Sequence, residues 1–346
     1  ISLGLSGGLD SRALLAAGST DSGFTTHTFG PDSTADFQVA QSIAARTRVC
    51  HRSLWDALPP VEDCIELVKD HMATKMAVTP ASSTVKMRLY DRLQEYGVLV
   101  VDGGFGEICR RGYHRRLLLQ NPRALTNGNV ATVKRHLRTF RADLFTESVN
   151  ARMEEGVVED LTETLEALPE NDEANILADL LSVRTRLPNF FGRAQTHLDQ
   201  LVPNLMPFAL PNVLTSTFAA PLIERKRGRT VRELIRRRAP SLAEIPLARG
   251  SVTVPFWMTA EVGHVWAKMK AAIGLTFEDP IREMFLNWIA PWARELVRSQ
   301  SVREYSPYAY AKIRSLVDGY YLGRHERSAE VDWWIAFECW RQTLQR

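Results

Sequence analysis

The sequence predicts an α/β fold built around a parallel sheet, and three observations support this prediction. Strand and helix signals alternate over the first third of the chain. A continuous apolar run at residues 98–101 suits a parallel strand that is buried on both faces. Glycine-rich turns directly follow two of the expected strands, at residues 6–10 and 102–106. Sheets of this kind bind ligands beyond the carboxyl ends of their strands, so a binding site is expected there.

Composition limits the classes of protein that fit this chain. Its 346 residues can form one large domain with a buried core, and a net charge of +3 is too small to indicate nucleic-acid binding by itself. No apolar run approaches the ~20 residues that cross a bilayer, and we find no secretory leader. The four cysteines form no Cys-x-x-Cys pattern, which favours a reducing, cytoplasmic setting. Ile1 lies inside an expected strand and is not a methionine, which indicates a piece of a longer protein.

The expected elements follow one another in βαβ order over the first third of the chain. Strands are expected at residues 1–5, 24–29, 49–54 and 98–101. The helices between them are expected at residues 9–17, 37–46, 61–76 and 82–96.

Helical patterns dominate from about residue 117 onward. They are expected at residues 130–140, 144–168, 173–186, 231–238, 260–272, 280–297, 306–319 and 329–344. We find no internal repeat and no low-complexity linker. The prediction is therefore one domain over residues 1–346, with a nucleotide-binding α/β core at 1–116 and a large helical C-terminal extension at 117–346.

The turn after the first strand has the composition of an anion-binding loop. Gly7 and Gly8 allow the backbone to approach a ligand, and the following helix directs its N-terminal N–H groups at the turn. Ser6 and Ser11 add hydroxyl groups. A carboxylate beside a phosphate is repulsive unless a cation lies between them, so Asp10 predicts Mg²⁺. The alternative is an ordinary tight turn in a Rossmann-like sheet.

The residues Ser-Gly-Gly-Leu-Asp-Ser at 6–11 resemble the SGGxDS loop of the PP-loop ATP pyrophosphatases. That family includes asparagine synthetase, β-lactam synthetase, GMP synthetase and several tRNA-modifying enzymes. The resemblance implies the adenine nucleotide α-hydrolase-like fold, with a five-stranded type of parallel sheet, and ATP as the ligand.

A second glycine-rich turn, residues 102–106, follows the fourth expected strand. Glu107 comes just after it and is placed to be a second carboxylate on the same Mg²⁺ as Asp10, an arrangement usual for hard cations. The alternative is that Asp102 or Glu107 merely caps a helix.

This second motif resembles the synthetase domain of asparagine synthetase, SGEGxDExxxGGY, in the spacing from Glu107 to Gly112 and Tyr113. The stretch at residues 26–41, with Asp36, is similar to that family's adenosine-contacting strand and the helix after it. The resemblance implies that Asp10 and Glu107 hold magnesium. It also implies an ATP site formed by Leu5, Ser6, Gly7, Gly8, Asp10, Ser11, Phe29, Gly30, Asp102 and Gly103.

Several positions depart from the family pattern. Gly104 stands where asparagine synthetase has a glutamate, and the catalytic lysine of a later loop is replaced, with Arg249 the nearest candidate. Arg249 keeps the positive charge with a different geometry. Arg12 follows the first loop in place of a small residue, and these residues include no N-terminal glutaminase domain.

The resemblance implies an ATP-dependent synthetase that adenylates a carboxylate and passes the acyl group to ammonia or an amine, with Asp10, Glu107 and Arg249 as its catalytic residues. Alternatives are an intramolecular ring-forming synthetase of the β-lactam synthetase or lasso-peptide cyclase type, a tRNA-modifying pyrophosphatase, and a non-catalytic regulatory module. The expected partners are a small-molecule or peptide carboxylate and a separate or upstream glutaminase. No membrane is expected, and a homodimer is left open.

Two further features have more than one interpretation. Tyr113 and His114 follow the second motif and are candidates for a general base, although such residues are more often structural. The basic run at residues 225–238 fits a solvated helix face, a phosphate or acidic-substrate contact, or an RNA-binding surface. The run lacks interleaved aromatic residues, which argues against RNA.

Overall fold

A five-stranded parallel sheet organises the fold in the computed structural model. The structure describes residues 1–18, 24–75, 79–94, 99–110, 113–137, 143–171, 173–250, 252–259, 262, 269 and 279–344. The strand order is β3-β2-β1-β4-β5, and every neighbouring pair is parallel. The strands are β1 (Ser2–Gly4), β2 (Thr25–Phe29), β3 (Cys50–Leu54), β4 (Val100–Val101) and β5 (Asn204–Leu205). A separate antiparallel hairpin consists of β6 (Leu247–Arg249) and β7 (Val252–Val254).

Helices make up most of the remaining described chain. They are α1 (Leu9–Ala17), α2 (Ala35–Thr47), α3 (Val61–Lys75), α4 (Thr84–Met87), α5 (Asp91–Gln94), α6 (Glu107–Arg110), α7 (Arg115–Gln120), α8 (Arg123–Thr126), α9 (Val130–Leu137), α10 (Glu147–Glu166), α11 (Ala174–Arg186), α12 (Arg193–Leu201), α13 (Pro211–Ala219), α14 (Leu222–Arg225), α15 (Arg229–Arg238), α16 (Pro280–Trp288), α17 (Ala290–Leu296), α18 (Gln300–Arg303), α19 (Tyr310–Tyr321) and α20 (Ser328–Thr343). None of the described helices is both long and apolar enough to cross a membrane.

The expected α/β class and the parallel sheet are confirmed, with several differences in detail. The fifth strand, β5, was not expected, because two residues beside a proline carry too little pattern to be read as a strand. The helix expected at residues 82–96 is broken into α4 and α5, and the helix expected at 280–297 is broken into α16 and α17. The helix expected at 260–272 lies outside the described residues except for residues 262 and 269.

The strand order places β1 in the middle of the sheet, between β2 and β4. The chain after β1 turns to one side of the sheet, forming β2 and then β3, and β4 and β5 are added on the other side. In open sheets such a reversal of strand order leaves a crevice at the carboxyl ends of the two central strands. The two glycine-rich turns follow β1 and β4, so both lie at this crevice.

The chain divides into two compact units, each made of three segments of sequence. The first consists of Ile1–Asp56, Lys86–Tyr113 and Ala194–Pro280, and it contains the sheet and the hairpin. One group of its buried side chains, which includes Leu54 of β3 and Val100 of β4, is Leu54, Tyr90, Leu93, Val100, Leu198 and Val202. The division into a core at 1–116 and an extension at 117–346 stays a prediction.

The second unit consists of Ala57–Val85, His114–Arg193 and Ile281–Arg346, and its described elements are helical. One apolar group packs α7 to α11 together through Leu117, Ala124, Leu125, Val133, Leu161, Leu177, Ala178 and Leu181. Asp332 is fully buried, and its carboxylate accepts hydrogen bonds from the backbone N–H (2.9 Å) and the hydroxyl (2.6 Å) of Ser82. These contacts join α20 to the turn that precedes α4.

Candidate active site at the carboxyl ends of the strands

A cavity of about 420 Å³ lies in the first unit at the carboxyl ends of β1, β2 and β4. Its walls come from the two glycine-rich turns, the end of β2, the start of α2 and the segment around α4. The lining residues are Gly4, Leu5, Ser6, Gly8, Leu9, Asp10, Ser11, His27, Thr28, Phe29, Asp36, Lys86, Tyr90, Asp102, Gly103, Gly104 and Arg110.

The first loop is held in shape by hydrogen bonds between its own serines. The hydroxyls of Ser6 and Ser11 are 2.9 Å apart. The backbone N–H of Ser6 donates to Ser11 Oγ (3.1 Å), and that of Gly8 donates to Ser6 Oγ (3.1 Å). These bonds fix the turn between β1 and α1, and residues at the start of α1, Leu9, Asp10 and Ser11, line the cavity. The N-terminus of a helix favours an anion.

Gly7 anchors the loop to its surroundings and does not line the cavity. Its N–H donates to Asp36 Oδ1 (2.8 Å), and its carbonyl accepts from the N–H of Ala248 in β6 (2.9 Å). A side chain at Gly7 would overlap the Ala248 methyl group, so glycine is required by this close approach.

The Arg12 side chain binds the segment that leads into β6. Its side chain is fully buried, and Nη1 donates to the carbonyls of Leu242 (2.9 Å) and Ile245 (2.6 Å), while Nη2 donates to that of Pro246 (2.7 Å). Burial, together with the nearby charge of Arg232, lowers the pKa of Arg12 to about 10. Arg12 therefore has a structural role at the position where the asparagine synthetase family has a small residue.

The two glycine-rich turns touch each other at the cavity floor. A Cβ atom built on Gly103 would lie 3.2 Å from the backbone nitrogen of Ser11, and one built on Gly106 would lie 2.5 Å from Asp10 Cγ. Between them Phe105 adopts a left-handed conformation (φ 63°), which is strained for a bulky residue, and its buried ring stacks on Tyr113 at 5.6 Å. Close packing at Gly103 and Gly106 therefore sets the distance between the two glycine-rich turns.

Arg110 pairs with both carboxylates that the sequence assigns to magnesium. Its Nε lies 2.7 Å from Asp10 Oδ1, and its Nη2 lies 2.6 Å from Asp10 Oδ2, which is a two-pronged ion pair. The same Nη2 lies 3.9 Å from Glu107 Oε1. Burial would lower the pKa of Arg110, but the charges of Asp10 and Glu107 outweigh burial and raise it.

As placed, these side chains do not fit a protein-bound magnesium ion. Both oxygens of Asp10 already accept from Arg110, and Glu107 faces the same guanidinium. Across the part of the chain that the structure describes, no group of three or more His, Cys, Asp or Glu side chains could hold a metal. A cation at Asp10 and Glu107 would have to displace Arg110 first.

Phe29, Tyr90 and His27 form an aromatic wall of the cavity near the end of β2. The ring of Phe29 lies 4.6 Å from that of Tyr90 and 5.1 Å from that of His27. Burial lowers the pKa of His27 to about 4, so this imidazole is neutral at pH 7. It is held by the hydroxyl of Ser2 at 2.8 Å. Such a wall offers a flat apolar face to a planar ring.

Two carboxylates and a lysine complete the cavity. Asp102 is largely buried and accepts a hydrogen bond from the N–H of Gly104; burial raises its pKa. Burial also raises the pKa of Asp36, an effect that the hydrogen bond from Gly7 and the charge of Lys86 partly oppose. Lys86 and Arg110 therefore make two positively charged side chains at the cavity wall.

Most of the residues expected to bind ATP line this cavity. Eight of the ten do so: Leu5, Ser6, Gly8, Asp10, Ser11, Phe29, Asp102 and Gly103. Gly7 and Gly30 are not among the lining residues. Gly30 is buried and takes a positive φ of 133°, so it turns the chain out of β2. The assignment of all ten residues to an ATP site stays a prediction.

One of the three expected catalytic residues lines the cavity. Asp10 lines it, whereas Glu107 and Arg249 do not. Arg249 ends β6, next to Ala248, which contacts the first loop. Tyr113 packs on Phe105 and does not line the cavity, and burial lowers the pKa of His114 to about 4.

No motif indicates Lys86 and Tyr90, which line the cavity in the structure. They lie in and just after α4, where the sequence predicts only an unbroken helix. Arg110 lies between Glu107 and Gly112 of the second motif, but the motif does not indicate that the Arg110 side chain contacts Asp10. An ion-pair partner for Asp10 could have been sought among the basic residues that follow the second loop.

The basic run at residues 225–238 is partly structural. Arg225 is buried and donates to the carbonyl of Ile108 (3.3 Å), and Arg232 is buried and donates to the carbonyls of Phe256 and Met258 (2.9 Å for Met258). The helix α15 that carries the run packs against α1. Arg236 and Arg237 pair with Glu233 on the exposed face.

Comparison with known proteins identifies no relative: no family model matches the chain, and no curated protein matches its sequence.

Proposed function

We propose that this protein is an ATP-dependent synthetase that forms amides, with the PP-loop kind of α/β fold. The observation that carries the proposal is one cavity at the reversal of strand order, lined by the Ser6–Ser11 loop, the turn after β4 and two cationic side chains. This arrangement suits a ligand with a polyanionic end and a flat ring end.

The polyanionic end would bind at the first loop. The start of α1 offers N–H groups and the positive end of a helix dipole, and the hydroxyls of Ser6 and Ser11 lie beside it. Lys86 and Arg110 add positive charge at the wall. Together these groups favour the phosphate chain of ATP over a neutral ligand.

The nucleoside end would bind at the aromatic wall. Phe29 and Tyr90 present faces on which adenine can stack, and Asp102 can accept hydrogen bonds from an amino group or a ribose hydroxyl. The neutral His27 imidazole can pack there without adding charge.

The proposed reaction has two steps. A substrate carboxylate attacks the α-phosphorus of ATP, which forms an acyl-adenylate and expels pyrophosphate. An amine or ammonia then attacks the acyl carbon, loses a proton and expels AMP. The protein's contribution is to orient the phosphates and to stabilise the charge that develops on the leaving pyrophosphate. Arg249 as the replacement for the lysine and a glutaminase partner stay predictions. The side chains of Asp10 and Glu107, as placed, fit a magnesium ion only if Arg110 is displaced, so no step of the reaction relies on that ion.

The test is pyrophosphate release. The protein would be incubated with ATP, MgCl₂, hydroxylamine as a general amine, and a panel of carboxylates that includes amino acids and peptides. We expect release with one class of carboxylate, together with an equal amount of AMP. Lys86→Met should lower the rate at least about tenfold, because it removes a cation from the phosphate side of the cavity. Lys312→Met, which removes a lysine paired with Asp143 in the second unit, is the matched control.

A second candidate function is nucleotide binding without chemistry, as in a regulatory module. The ion pair of Arg110 with Asp10 favours it, because the carboxylate expected to hold a catalytic magnesium ion is already paired with an arginine. ATP binding measured by calorimetry, with no pyrophosphate released for any carboxylate, would select this candidate. Product formed without any added amine would instead select the ring-forming reaction.

A further inference from the structure

The position of Arg110 determines what can bind between the two loops. Its guanidinium touches Asp10 through two nitrogens, at 2.7 and 2.6 Å, and approaches Glu107 at 3.9 Å. These are the same two carboxylates that would have to supply oxygens to a divalent cation. A resident cation therefore already occupies the position where a metal is expected.

The backbone holds Arg110 in this place. A Cβ atom on Gly228 would lie 3.3 Å from Arg110 Cβ, so α6 packs closely on the turn before α15. The buried Arg225 secures α6 by donating to the carbonyl of Ile108 (3.3 Å). The side chain of Arg110 is only 24% exposed and that of Asp10 17%, so water screens their attraction less than in a surface pair.

The geometry leaves Arg110 with hydrogen-bonding capacity on the cavity side. A guanidinium has five N–H donors in a planar fork, and the pair with Asp10 uses only the Nε and Nη2 edge. Arg110 also lines the cavity. Its other edge can therefore donate to a phosphate while Asp10 keeps the fork in position.

We propose that Arg110 is a built-in cation of this site: it neutralises Asp10 and Glu107, excludes a divalent cation from them, and offers its remaining N–H groups to the phosphates of the ligand. Divalent cations then compete with Arg110 for these carboxylates and do not bind beside it. The exclusion of a divalent cation depends only on the contacts of Arg110 with Asp10 and Glu107. Only the phosphate contact rests on the proposed function.

The first arm of the test measures cation binding without nucleotide. Free Mn²⁺ would be followed by electron paramagnetic resonance during titration into the wild type, Arg110→Met and Arg110→Lys. We expect Arg110→Met to bind Mn²⁺ about tenfold more tightly than the wild type, because it frees the carboxylates. Arg110→Lys should fall between them, because lysine cannot make the two-pronged contact.

Two control variants test whether the tighter Mn²⁺ binding occurs at the carboxylates that Arg110 contacts. The double variant D10N/R110M should lose the tighter binding, since a cation then has one carboxylate fewer. Arg92→Met removes an arginine that pairs with Asp56 outside the cavity, and it should bind Mn²⁺ as the wild type does. Equal Mn²⁺ affinity in the wild type and Arg110→Met would overturn the proposal. If Arg110→Met does not fold, as judged by circular dichroism, equal affinity in the wild type and Arg110→Lys would overturn it.

The second arm measures ATP binding by calorimetry in EDTA. The wild type should still bind ATP, and Arg110→Met should bind it at least about tenfold more weakly, as expected for a lost charge-assisted contact. Wild-type ATP binding that appears only when a metal is added would overturn the phosphate contact. Absence of ATP binding under every condition would overturn the proposed function, and the Mn²⁺ arm would still decide the exclusion.

Discussion

Arg12 and Arg110 follow the two glycine-rich turns, and they use the same side chain in opposite ways. Arg12 is fully buried and donates to the backbone carbonyls of Leu242, Ile245 and Pro246. Arg110 lines the cavity and donates to the carboxylate of Asp10. Carbonyl partners fix a guanidinium in a scaffold, whereas a carboxylate partner at a cavity wall leaves part of it exposed to a ligand.

The comparison separates stability from ligand binding. Arg12 holds the segment before β6 against the first loop, so its loss should affect folding. Arg110 supports little besides the pairs with Asp10 and Glu107, so its loss should affect the ligand and the cation. Four predictions test this separation, from the largest expected effect to the smallest.

The largest effect is expected from Arg12→Met. This substitution leaves the buried carbonyls of Leu242, Ile245 and Pro246 without their donor, and each lost bond to a charged group costs on the order of 1.5–3 kcal/mol. We expect the free energy of unfolding in urea to fall by about 3 kcal/mol or more. Arg110→Met, measured under the same conditions, should lose less than Arg12→Met, because its partner Asp10 lines the cavity, where water can solvate the carboxylate that is left unpaired. Equal losses in the two variants would remove the distinction.

Gly106→Ala should give the second-largest effect, a loss of ligand affinity. The new methyl group would lie 2.5 Å from Asp10 Cγ, so the Asp10 side chain, which pairs with Arg110, must shift. We expect ATP affinity, measured by calorimetry, to fall at least about tenfold, because the carboxylate that positions the guanidinium is displaced. Gly156→Ala, where nothing lies within 4 Å of the new atom, is the matched control and should bind ATP as the wild type does.

Asp102 gives the third effect, on the pH dependence of stability. Burial raises the pKa of Asp102, so the folded protein binds this proton more tightly than the unfolded chain. Ionisation of Asp102 then lowers the free energy of unfolding as pH rises from about 4, the ordinary aspartate value, to the raised value in the folded state.

Asp102→Asn should remove this loss, because the amide does not ionise and its oxygen can still accept from Gly104. Urea unfolding at pH 4 and pH 7 should show the variant gaining stability relative to the wild type at the higher pH. An unchanged difference between the two pH values would contradict the assignment.

The smallest effect is expected from exchanging one cation for another at the cavity wall. Lys86→Arg keeps the positive charge near Asp36, so ATP affinity should change by less than about fivefold. The folding stability should not change measurably. If Lys86→Arg lost as much ATP affinity as Lys86→Met does in the same measurement, the lysine would act through its shape and not through its charge.

The sequence by itself determined the local features of the site. The order of strand, glycine turn and helix at residues 1–17 is short-range, and the helix was predicted at the same bounds that α1 has. The position of both loops at the carboxyl ends of parallel strands also followed from the alternating pattern, because βαβ connections leave few other arrangements. For the same reason most of the expected ATP-binding residues lie at one cavity.

The tertiary structure decided which distant side chains join that cavity. Lys86 and Tyr90 come from a segment whose pattern shows only a helix, and β5 is too short to have a pattern. Arg110 meets Asp10 across 100 positions of sequence, and Arg12 meets Pro246 across 234. Such pairings depend on how α1, α6 and the segment before β6 pack, and no local preference of the residues encodes that packing. The local sequence therefore determined the two loops, and tertiary packing determined which charged side chains surround them.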